Sequence, residues 1–218
     1  MLKNGLKLIA FFALSFTAMA NISKAEDSKN VAFTKVFINK VLDITSSGKP
    51  MEYIEQKVSD DFTSTLDFEV QSKMALGVKY KQLTDEEKKD FVYEYGTFLA
   101  YSWLPKIANL NRNNSRVLIA NKVEKLSASD ENVNVSFVLP NSSSVDLNIR
   151  VRCKQDKPCK FVNLVLEGID LANMYNTQFN TYIEKHNGQV NSVIKYLRDE
   201  NAKFKKTSKL KTKVERMK

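Results

Sequence analysis

The stretch CKFVNLVLEGIDLANMYNTQF, residues 159–179, combines a predicted strand, a turn at Gly168 and the start of a helix. An antiparallel strand usually buries one face and leaves the other face in water. This strand instead has apolar residues on both faces, namely Phe161, Val162, Leu164, Val165 and Leu166. The sequence therefore predicts more apolar surface at this strand than a single sheet face requires.

Two antiparallel strands are predicted ahead of this stretch, because their apolar residues fall at every second position. The apolar positions are Val133, Val135, Phe137 and Leu139 in the first strand and Val145, Leu147, Ile149 and Val151 in the second. The polar run NSSS, residues 141–144, predicts the turn between them, and residues 117–126 predict a weaker strand upstream. Together with residues 161–166, these segments predict a four-stranded meander.

Helical spacing of apolar residues predicts helices on both sides of the sheet. Four lie before it, over residues 28–44, 51–58, 68–76 and within 83–103, and two follow it, the first of them capped by Asp170. Helices, then strands, then helices predict an α+β domain. Its helices are expected to gather on the apolar face of a curved four-stranded antiparallel sheet.

The strongest helix signal is LTDEEKKDFVYEYGTFLAYSW, residues 83–103. Thr84 and Glu87 have the spacing of a capping box, in which each side chain accepts a hydrogen bond from the backbone of the other residue. Phe91, Tyr95 and Phe98 form an aromatic stripe along one face of this helix. Pro105 is predicted to end or kink the helix at its far end.

The first 25 residues have the features of a signal peptide. Lys3 and Lys7 form a basic start, an apolar run covers residues 8–18, and small residues precede possible cleavage sites after Ala20 and Ala25. The apolar run is shorter than the roughly 20 residues of a membrane-spanning helix. We therefore expect an exported protein; a buried N-terminal helix is the alternative interpretation.

The mature chain is predicted to form one domain over residues 26–203, followed by a basic tail over residues 204–218. The net charge is +9, and many cations lie near the C-terminus, at Lys203, Lys205, Lys206, Lys209, Lys211, Lys213, Arg216 and Lys218. A nucleic-acid site needs aromatic residues that stack on bases, and only Phe204 lies among these cations, so nucleic acid is not an expected partner. A solvated helix end and attraction to anionic headgroups both stay open.

Cys153 and Cys159 are the only cysteines, and in an exported protein they are predicted to form a disulfide that pins the turn CKQDKPC. Two thiols and one histidine are too few for a tetrahedral metal site, so no metal is expected.

No catalytic residue is expected either, since His186 stands alone at a predicted helix end. Glu167 is either a buried general base or, as we favour, a carboxylate that holds the strand-to-helix turn.

Three segments together resemble the MlaC family, the phospholipid-binding, toluene-tolerance components of lipid ABC transport systems. They are MALGVKYKQLTDEEKKDFVYEYGTFLAYSW, residues 74–103; FVNLVLEGIDLANMYNTQF, residues 161–179; and NGQVNSVIKYL, residues 187–197. They occur in the family's order. The chain departs from the family pattern at Cys159, Asn163, Asp170 and Asn176, where Trp, Asp, Ser and Arg are usual. The missing Arg puts in doubt a headgroup contact at Asn176.

The resemblance implies a nuclear-transport-factor-like cone with an apolar pocket between sheet and helices. It implies a periplasmic carrier, not an enzyme, with bound phospholipid as ligand and no cofactor. Such a carrier shuttles phospholipid between the membranes and helps to maintain the lipid asymmetry of the outer membrane. The implied partners are an inner-membrane ABC transporter with a substrate-binding ring and an outer-membrane lipoprotein–porin complex, and the carrier itself is expected to be a monomer.

The paired apolar stripes suggest where acyl chains lie. We expect a slot between the aromatic stripe and the sheet, with Phe91, Tyr95 and Phe98 on one wall and Val135, Phe137, Leu147, Ile149 and Val151 on the other. Leu164, Leu166 and Tyr175 are further candidates, since the register of the last strand is open. Two alternatives stay open: an exported interaction or adaptor module with a dry core, and an enzyme on the same fold that uses Glu167.

Overall fold

The structure, a computed structural model, describes residues 27–108, 116–119, 123–138 and 144–208. The predicted signal peptide, the predicted strand residue Leu139, most of the NSSS turn and the last ten residues of the basic tail lie outside the described residues.

The described residues form helices, then an antiparallel sheet, then two further helices. The helices are α1 (Lys29–Thr45), α2 (Met51–Thr65), α3 (Phe68–Leu76), a 3₁₀ helix (Gly77–Gln82), α4 (Asp85–Ala108), α5 (Leu171–Lys185) and α6 (Ser192–Thr207). The strands are β1 (Arg116–Ile119), β2 (Glu124–Lys125), β3 (Asp130–Val138), β4 (Ser144–Arg152), β5 (Lys160–Leu166) and β6 (Ile169–Asp170). The predicted α+β class is confirmed.

The sheet has six strands in the described residues, so the prediction of four was wrong. Its strand order is β1-β3-β4-β5-β6, with β2 also paired to β3, and the sheet does not close on itself. The weak first strand of the prediction is two short strands, β1 and β2. The sixth strand arises because Glu167 and Gly168, with φ of 49° and 78°, turn the chain back so that Ile169 pairs with Leu166.

Two helix ends differ from the prediction, and a third helix crosses the predicted domain boundary. The helix α2 continues to Thr65, because Val58 and Phe62 bury the same face one turn apart. The helix α4 continues past Pro105 to Ala108, so this proline does not end it. The helix α6 continues to Thr207, so the predicted boundary between domain and tail falls inside a helix.

The predicted helix caps are confirmed. The backbone N–H of Thr84 donates to Glu87 Oε2 at 2.9 Å, and the N–H of Glu87 donates to Thr84 Oγ1 at 3.2 Å. At α5, Asp170 Oδ1 accepts from the N–H of Asn173 at 2.9 Å. These bonds satisfy backbone donors that have no partner inside the first turn of a helix.

The buried apolar residues divide into clusters on different helices. The first cluster joins the 3₁₀ helix, α4, α5 and α6, and includes Phe91, Tyr95 and Phe179. The second joins α1 and the end of α2 to the apolar face of β3, β4 and β5. The third joins α1, α2 and α4. The helix α1, rather than α4, therefore covers the apolar face of the sheet.

The disulfide forms as predicted. Cys153 and Cys159 are bonded to each other and close the hairpin between β4 and β5. Both are buried at the edge of the second cluster, and the N–H of Cys153 donates to the carbonyl of Ser129 at 2.8 Å. The hairpin is thus tied to the turn that precedes β3.

Candidate functional site

An apolar cavity of about 90 Å³ lies between α1 and the sheet. Its walls come from α1, α2 and three strands: Phe37, Ile38, Val41, Leu42, Phe62, Phe137, Leu147, Ile149, Phe161 and Leu164. Every lining residue is aliphatic or aromatic. The cavity therefore suits a hydrocarbon group and provides no hydrogen-bond partner for a polar one.

The helix α1 forms the outer wall, and its N-terminal end is fixed to the sheet by polar bonds. The side chain of Asn30 donates to the carbonyls of Val151 at 2.7 Å and of Ser129 at 3.2 Å. Ser28 caps the helix and donates to the carboxylate of Glu131 at 2.5 Å. The cavity lies further along α1. There the α1 residues that line it, from Phe37 to Leu42, face the sheet with apolar side chains.

A bulge in β5 brings two of the lining residues onto one face. Arg150 pairs with Asn163 and Val151 pairs with Phe161, so Val162 is an extra residue in the strand. Without an extra residue, Phe161 and Leu164 would lie on opposite faces, because side chains alternate along a strand. With it, both side chains face α1.

Aromatic contacts hold the middle of α1 against the sheet. The ring of Phe161 lies 5.1 Å from the ring of Phe33 and 4.9 Å from the ring of Phe37, the latter edge to face. Edge-to-face pairs at this distance are favourable. Phe37 is thus both a contact of α1 with β5 and a part of the cavity wall.

The cavity is least covered at Phe37, Leu147 and Leu164, which are half-buried, whereas the other seven lining residues are buried. Leu166 pairs with Leu147 and is also half-buried, so it lies on the same face next to this region. We call this region, around Leu147, Leu164 and Leu166, the mouth of the cavity.

The predicted site residues fall into two groups. Phe137, Leu147, Ile149 and Leu164 line the cavity, Val135 and Val151 lie in the same cluster, and Leu166 lies at the mouth. Phe91, Tyr95 and Tyr175 belong to the first cluster, and Phe98 packs against it. The structure therefore does not form the predicted slot between the aromatic stripe and the sheet, because α1 occupies that face.

The aromatic stripe of α4 packs on α5 instead. The rings of Phe91 and Phe179 are 6.0 Å apart, those of Tyr95 and Tyr175 are 5.6 Å apart, and those of Phe98 and Tyr175 are 5.8 Å apart. Phe91 and Tyr95 are fully buried by these neighbours. The aromatic stripe of α4 is thus covered by rings of α5.

The predicted site does not include the cavity residues on α1 and α2, nor Phe161 of β5. These residues are Phe37, Ile38, Val41, Leu42, Phe62 and Phe161. The signal was present in the spacing of Phe37 and Val41, which places both on one stripe of α1. That spacing shows that α1 buries a face, but it does not show what the face contacts.

The model of the MlaC protein family matches residues 35–199, which is more than half of the chain. The chain belongs to the MlaC family. A solved structure with the same fold is that of a phospholipid-binding protein from Ralstonia solanacearum in complex with a phospholipid. The two share 22% sequence identity with a TM-score of 0.65, and the match covers 82% of this chain and 99% of that one. No curated protein sequence matches the chain.

Two departures from the MlaC family pattern have structural partners here. The amide of Asn176 donates to the carbonyls of Ala75 at 3.2 Å and Met74 at 3.4 Å, at the end of α3. The amide of Asn163 donates to Asp170 Oδ2 at 2.8 Å, which links β5 to the cap of α5. Both amides therefore join elements of the fold and lie outside the cavity lining.

Neither Glu167 nor His186 is among the residues that line the cavity. The carboxylate of Glu167 accepts from the backbone N–H of Asp146, and the N–H of Glu167 donates to the carbonyl of Asp146 at 2.9 Å. Glu167 is exposed rather than buried. Its two hydrogen bonds with Asp146 hold the turn, which is the role that the sequence favours for this carboxylate. His186 ends α5 and stacks on Tyr182 with ring centres 4.0 Å apart.

Tyr95 and Asp130 are among the described residues whose pKa values are shifted. Burial raises the pKa of Tyr95 well above its ordinary value. Hydrogen bonds from Arg152 and Arg150 hold the pKa of Asp130 well below its ordinary value, despite the burial of this carboxylate. Asp130 pairs with Arg152 across β3 and β4, on the sheet face away from the cavity.

Neither a metal site nor a membrane span is evident in the part of the chain that the structure describes. No group of three or more His, Cys, Asp or Glu residues there is placed to hold a metal ion. Nor does any described helix have the length and apolar character to cross a membrane.

Proposed function

We propose that this MlaC family member binds phospholipid and takes acyl chain into the cavity between α1 and the sheet. The observation that carries the proposal is the wholly apolar lining of that cavity. Membership of the MlaC family and the fold shared with a phospholipid-binding protein support it.

The energetic reason for such a carrier is the cost of exposed hydrocarbon. Burying one methylene is worth about 0.8 kcal/mol, so a sixteen-carbon chain costs on the order of 13 kcal/mol to leave in water. A wall of aliphatic and aromatic side chains recovers that free energy. The phosphate and headgroup stay at the mouth, where water solvates their charge.

The size of the cavity indicates a closed form of the carrier. Its volume of about 90 Å³ is below the roughly 300–1,000 Å³ of pockets that hold small molecules. The cavity must therefore widen when lipid enters. We assign this movement to α1, because side-chain contacts hold α1, whereas β3, β4 and β5 are joined by backbone hydrogen bonds.

Widening exposes further residues of the same face to the lipid. Val135 and Val151 belong to the same cluster, and Leu166 lies at the mouth, so all three become contacts of a longer chain. Phe91, Tyr95, Phe98 and Tyr175 contact one another, and we assign them to the support of α4 rather than to lipid contact.

We extend the proposal to transport. The signal-peptide features and the family support a periplasmic carrier, with one domain from residue 26, that moves phospholipid between the membranes. Its docking partners are then an inner-membrane ABC transporter and an outer-membrane lipoprotein–porin complex, and its role is to maintain outer-membrane lipid asymmetry.

Native mass spectrometry of the mature protein, purified without detergent, tests the binding step. We expect a population heavier than the polypeptide by the mass of one phospholipid, and extraction into organic solvent should release the same lipid. The protein is then incubated with phospholipid vesicles and measured again. Protein that carries no lipid before or after this incubation would contradict the proposal and favour the exported adaptor module with a dry core.

A further inference from the structure

A groove of about 980 Å³ lies between the end of α2, the start of α3 and the first half of α4, and we call it the α4 groove. Its uncharged lining is aromatic or aliphatic apart from Thr63: Thr63, Leu66, Phe68, Tyr80, Val92 and Tyr93. The groove is open to solvent, whereas pockets for small molecules enclose most of their ligand. An open apolar groove between helices instead has the form that accepts a segment of another polypeptide.

Thr63 and Tyr80 bring buried hydroxyl groups to the α4 groove. Thr63 is 5% exposed and Tyr80 is 8% exposed. Among the described residues, none forms a hydrogen bond with the hydroxyl of Thr63, and none forms one with the hydroxyl of Tyr80. A buried polar group without a partner costs free energy. An occupant that carries polar groups as well as apolar ones therefore gains hydrogen bonds here.

The charged lining of the α4 groove leaves two lysines without a carboxylate partner in the part of the chain that the structure describes. Its carboxylates are each paired with a cation: Glu69 with Lys73, Asp85 with Lys88 and Asp90 with Arg198. Lys89 and Lys160 form no ion pair with a described residue. The ammonium of Lys160 donates instead to the backbone carbonyl of Ser64, near the end of α2. The α4 groove therefore complements an acidic occupant.

The α4 groove and the cavity are lined by neighbouring residues of the same segments. Phe62 and Phe161 line the cavity, and the adjacent residues Thr63 and Lys160 line the groove. The end of α2 meets β5 at this point, where Leu66 forms a parallel bridge with Phe161. An occupant of the groove therefore contacts the segments that hold one wall of the cavity in place.

We propose that the α4 groove docks an acidic amphipathic segment of a protein partner, and that docking speeds the release of phospholipid from the cavity. A carboxylate of this segment takes the ammonium of Lys160 from the carbonyl of Ser64, because hydrogen bonds between two charged groups are the stronger ones. The end of α2 then loses one bond to β5, and Phe62 moves more easily out of the cavity wall. The release step rests on the proposed function, whereas docking does not.

A random copolymer of glutamate and tyrosine is the probe for docking, and its affinity is measured by biolayer interferometry. Polyglutamate of equal length should bind about tenfold more weakly, because it has no rings to bury against Phe68 and Val92.

The Lys89→Met, Lys160→Met variant should also bind the copolymer about tenfold more weakly, the scale of two exposed charge pairs. The matched control is Lys49→Met with Lys185→Met, which removes two exposed lysines outside the groove and should leave binding unchanged.

The single variants separate docking from release. Protein loaded with phospholipid is mixed with acceptor vesicles of phosphatidylcholine, and the rate of lipid transfer is measured. The copolymer should speed transfer by the original protein about threefold, the scale of one lost hydrogen bond. Lys160→Met should transfer lipid faster without copolymer and respond little to it, because its bond to Ser64 is already absent. Lys89→Met should transfer lipid at the original rate and respond only at higher copolymer concentration.

Each outcome supports or overturns a stated part of the proposal. Equal copolymer binding by the two lysine pairs would overturn the α4 groove as the docking site, and equal binding of polyglutamate would overturn its apolar part. Phosphatidylglycerol vesicles that displace the copolymer through Lys89 and Lys160 would overturn the protein partner in favour of a membrane. Docking without faster transfer would overturn the link to α2. Protein that never takes up lipid would contradict the proposed function alone, because copolymer binding is measured on the same preparation and requires no lipid.

Discussion

Phe161 and Leu164 face the same side of the sheet although they stand three residues apart on β5. They pair with Val151 and Ile149, which lie on one face of β4, and Val162 is the extra residue between them. The other side of the strand is covered too, because Gln71 of α3 donates to the carbonyl of Val162 at 2.8 Å. Phe161 and Leu164 thus face the cavity, and the buried Val162 between them is bonded to α3 through its carbonyl.

The first prediction concerns Leu164, which is half-buried at the mouth. We expect Leu164→Trp to fill the space that an acyl chain needs and to lower phospholipid bound per protein about tenfold, since overfilling an apolar site costs roughly 1–3 kcal/mol. Phosphate analysis of the solvent extract measures the bound lipid, and thermal unfolding measures the fold.

The control for Leu164 is its neighbour Val165, which pairs with Asn148 on the opposite face of the sheet. Val165→Trp should leave bound lipid unchanged. If both tryptophan variants retain lipid equally, the cavity between α1 and the sheet is not the binding site.

The second prediction concerns the dependence of stability on pH through Asp130. Its folded-state pKa is lowered by hydrogen bonds from Arg152 and Arg150, so its ion pairs stabilise the fold above the ordinary Asp pKa of about 3.9 and are lost as the pH falls below it. We expect Asp130→Asn to lower the free energy of unfolding by about 2 kcal/mol at pH 7, less than for a fully buried pair because both arginines reach solvent.

Urea unfolding at pH 7 and at pH 3 checks this prediction. The difference between the original protein and the variant should shrink at the lower pH, where Asp130 of the unfolded chain is protonated. Asp156→Asn, at the exposed tip of the hairpin, is the control and should change stability little at either pH. A difference for Asp130→Asn that stays constant with pH would contradict the ion-pair assignment.

The third prediction concerns two tyrosines of the first cluster. The hydroxyl of Tyr95 is buried without a hydrogen-bond partner among the described residues, whereas the hydroxyl of Tyr175 accepts from the indole N–H of Trp103 at 3.3 Å. An unsatisfied buried polar group costs free energy, so Tyr95→Phe should stabilise the protein by about 1 kcal/mol. Tyr175→Phe should destabilise it by a similar amount. Calorimetric unfolding that ranks the two variants in the opposite order would refute this account.

The fourth prediction concerns the disulfide between Cys153 and Cys159. Its short loop, with a sequence separation of 6, gives an entropic stabilisation of about 2 kcal/mol. We expect a Cys153→Ala, Cys159→Ala variant to unfold at lower urea concentration but to keep its bound phospholipid, because neither cysteine lines the cavity. Loss of lipid in folded variant protein would show that the hairpin contributes to the site.

The sequence by itself determined the features that depend on neighbouring residues. The alternation in β3 and β4 shows which side chains share a face, and the described part of both strands follows it. The caps at Thr84 and Asp170 and the closure of the hairpin also follow from spacing alone. In each case the interacting groups lie within a few residues of one another, so their geometry is set by the local backbone.

Only the tertiary structure decided which helix covers the sheet and therefore where the cavity lies. Both α1 and α4 carry an apolar stripe, and a stripe shows that a face is buried without naming its partner. The choice depends on contacts between distant residues, such as Asn30 with Val151 at one end of α1 and Asn201 with Glu94 between α6 and α4. The bulge at Val162 is of the same kind, because it depends on how β5 pairs with β4 rather than on β5 alone.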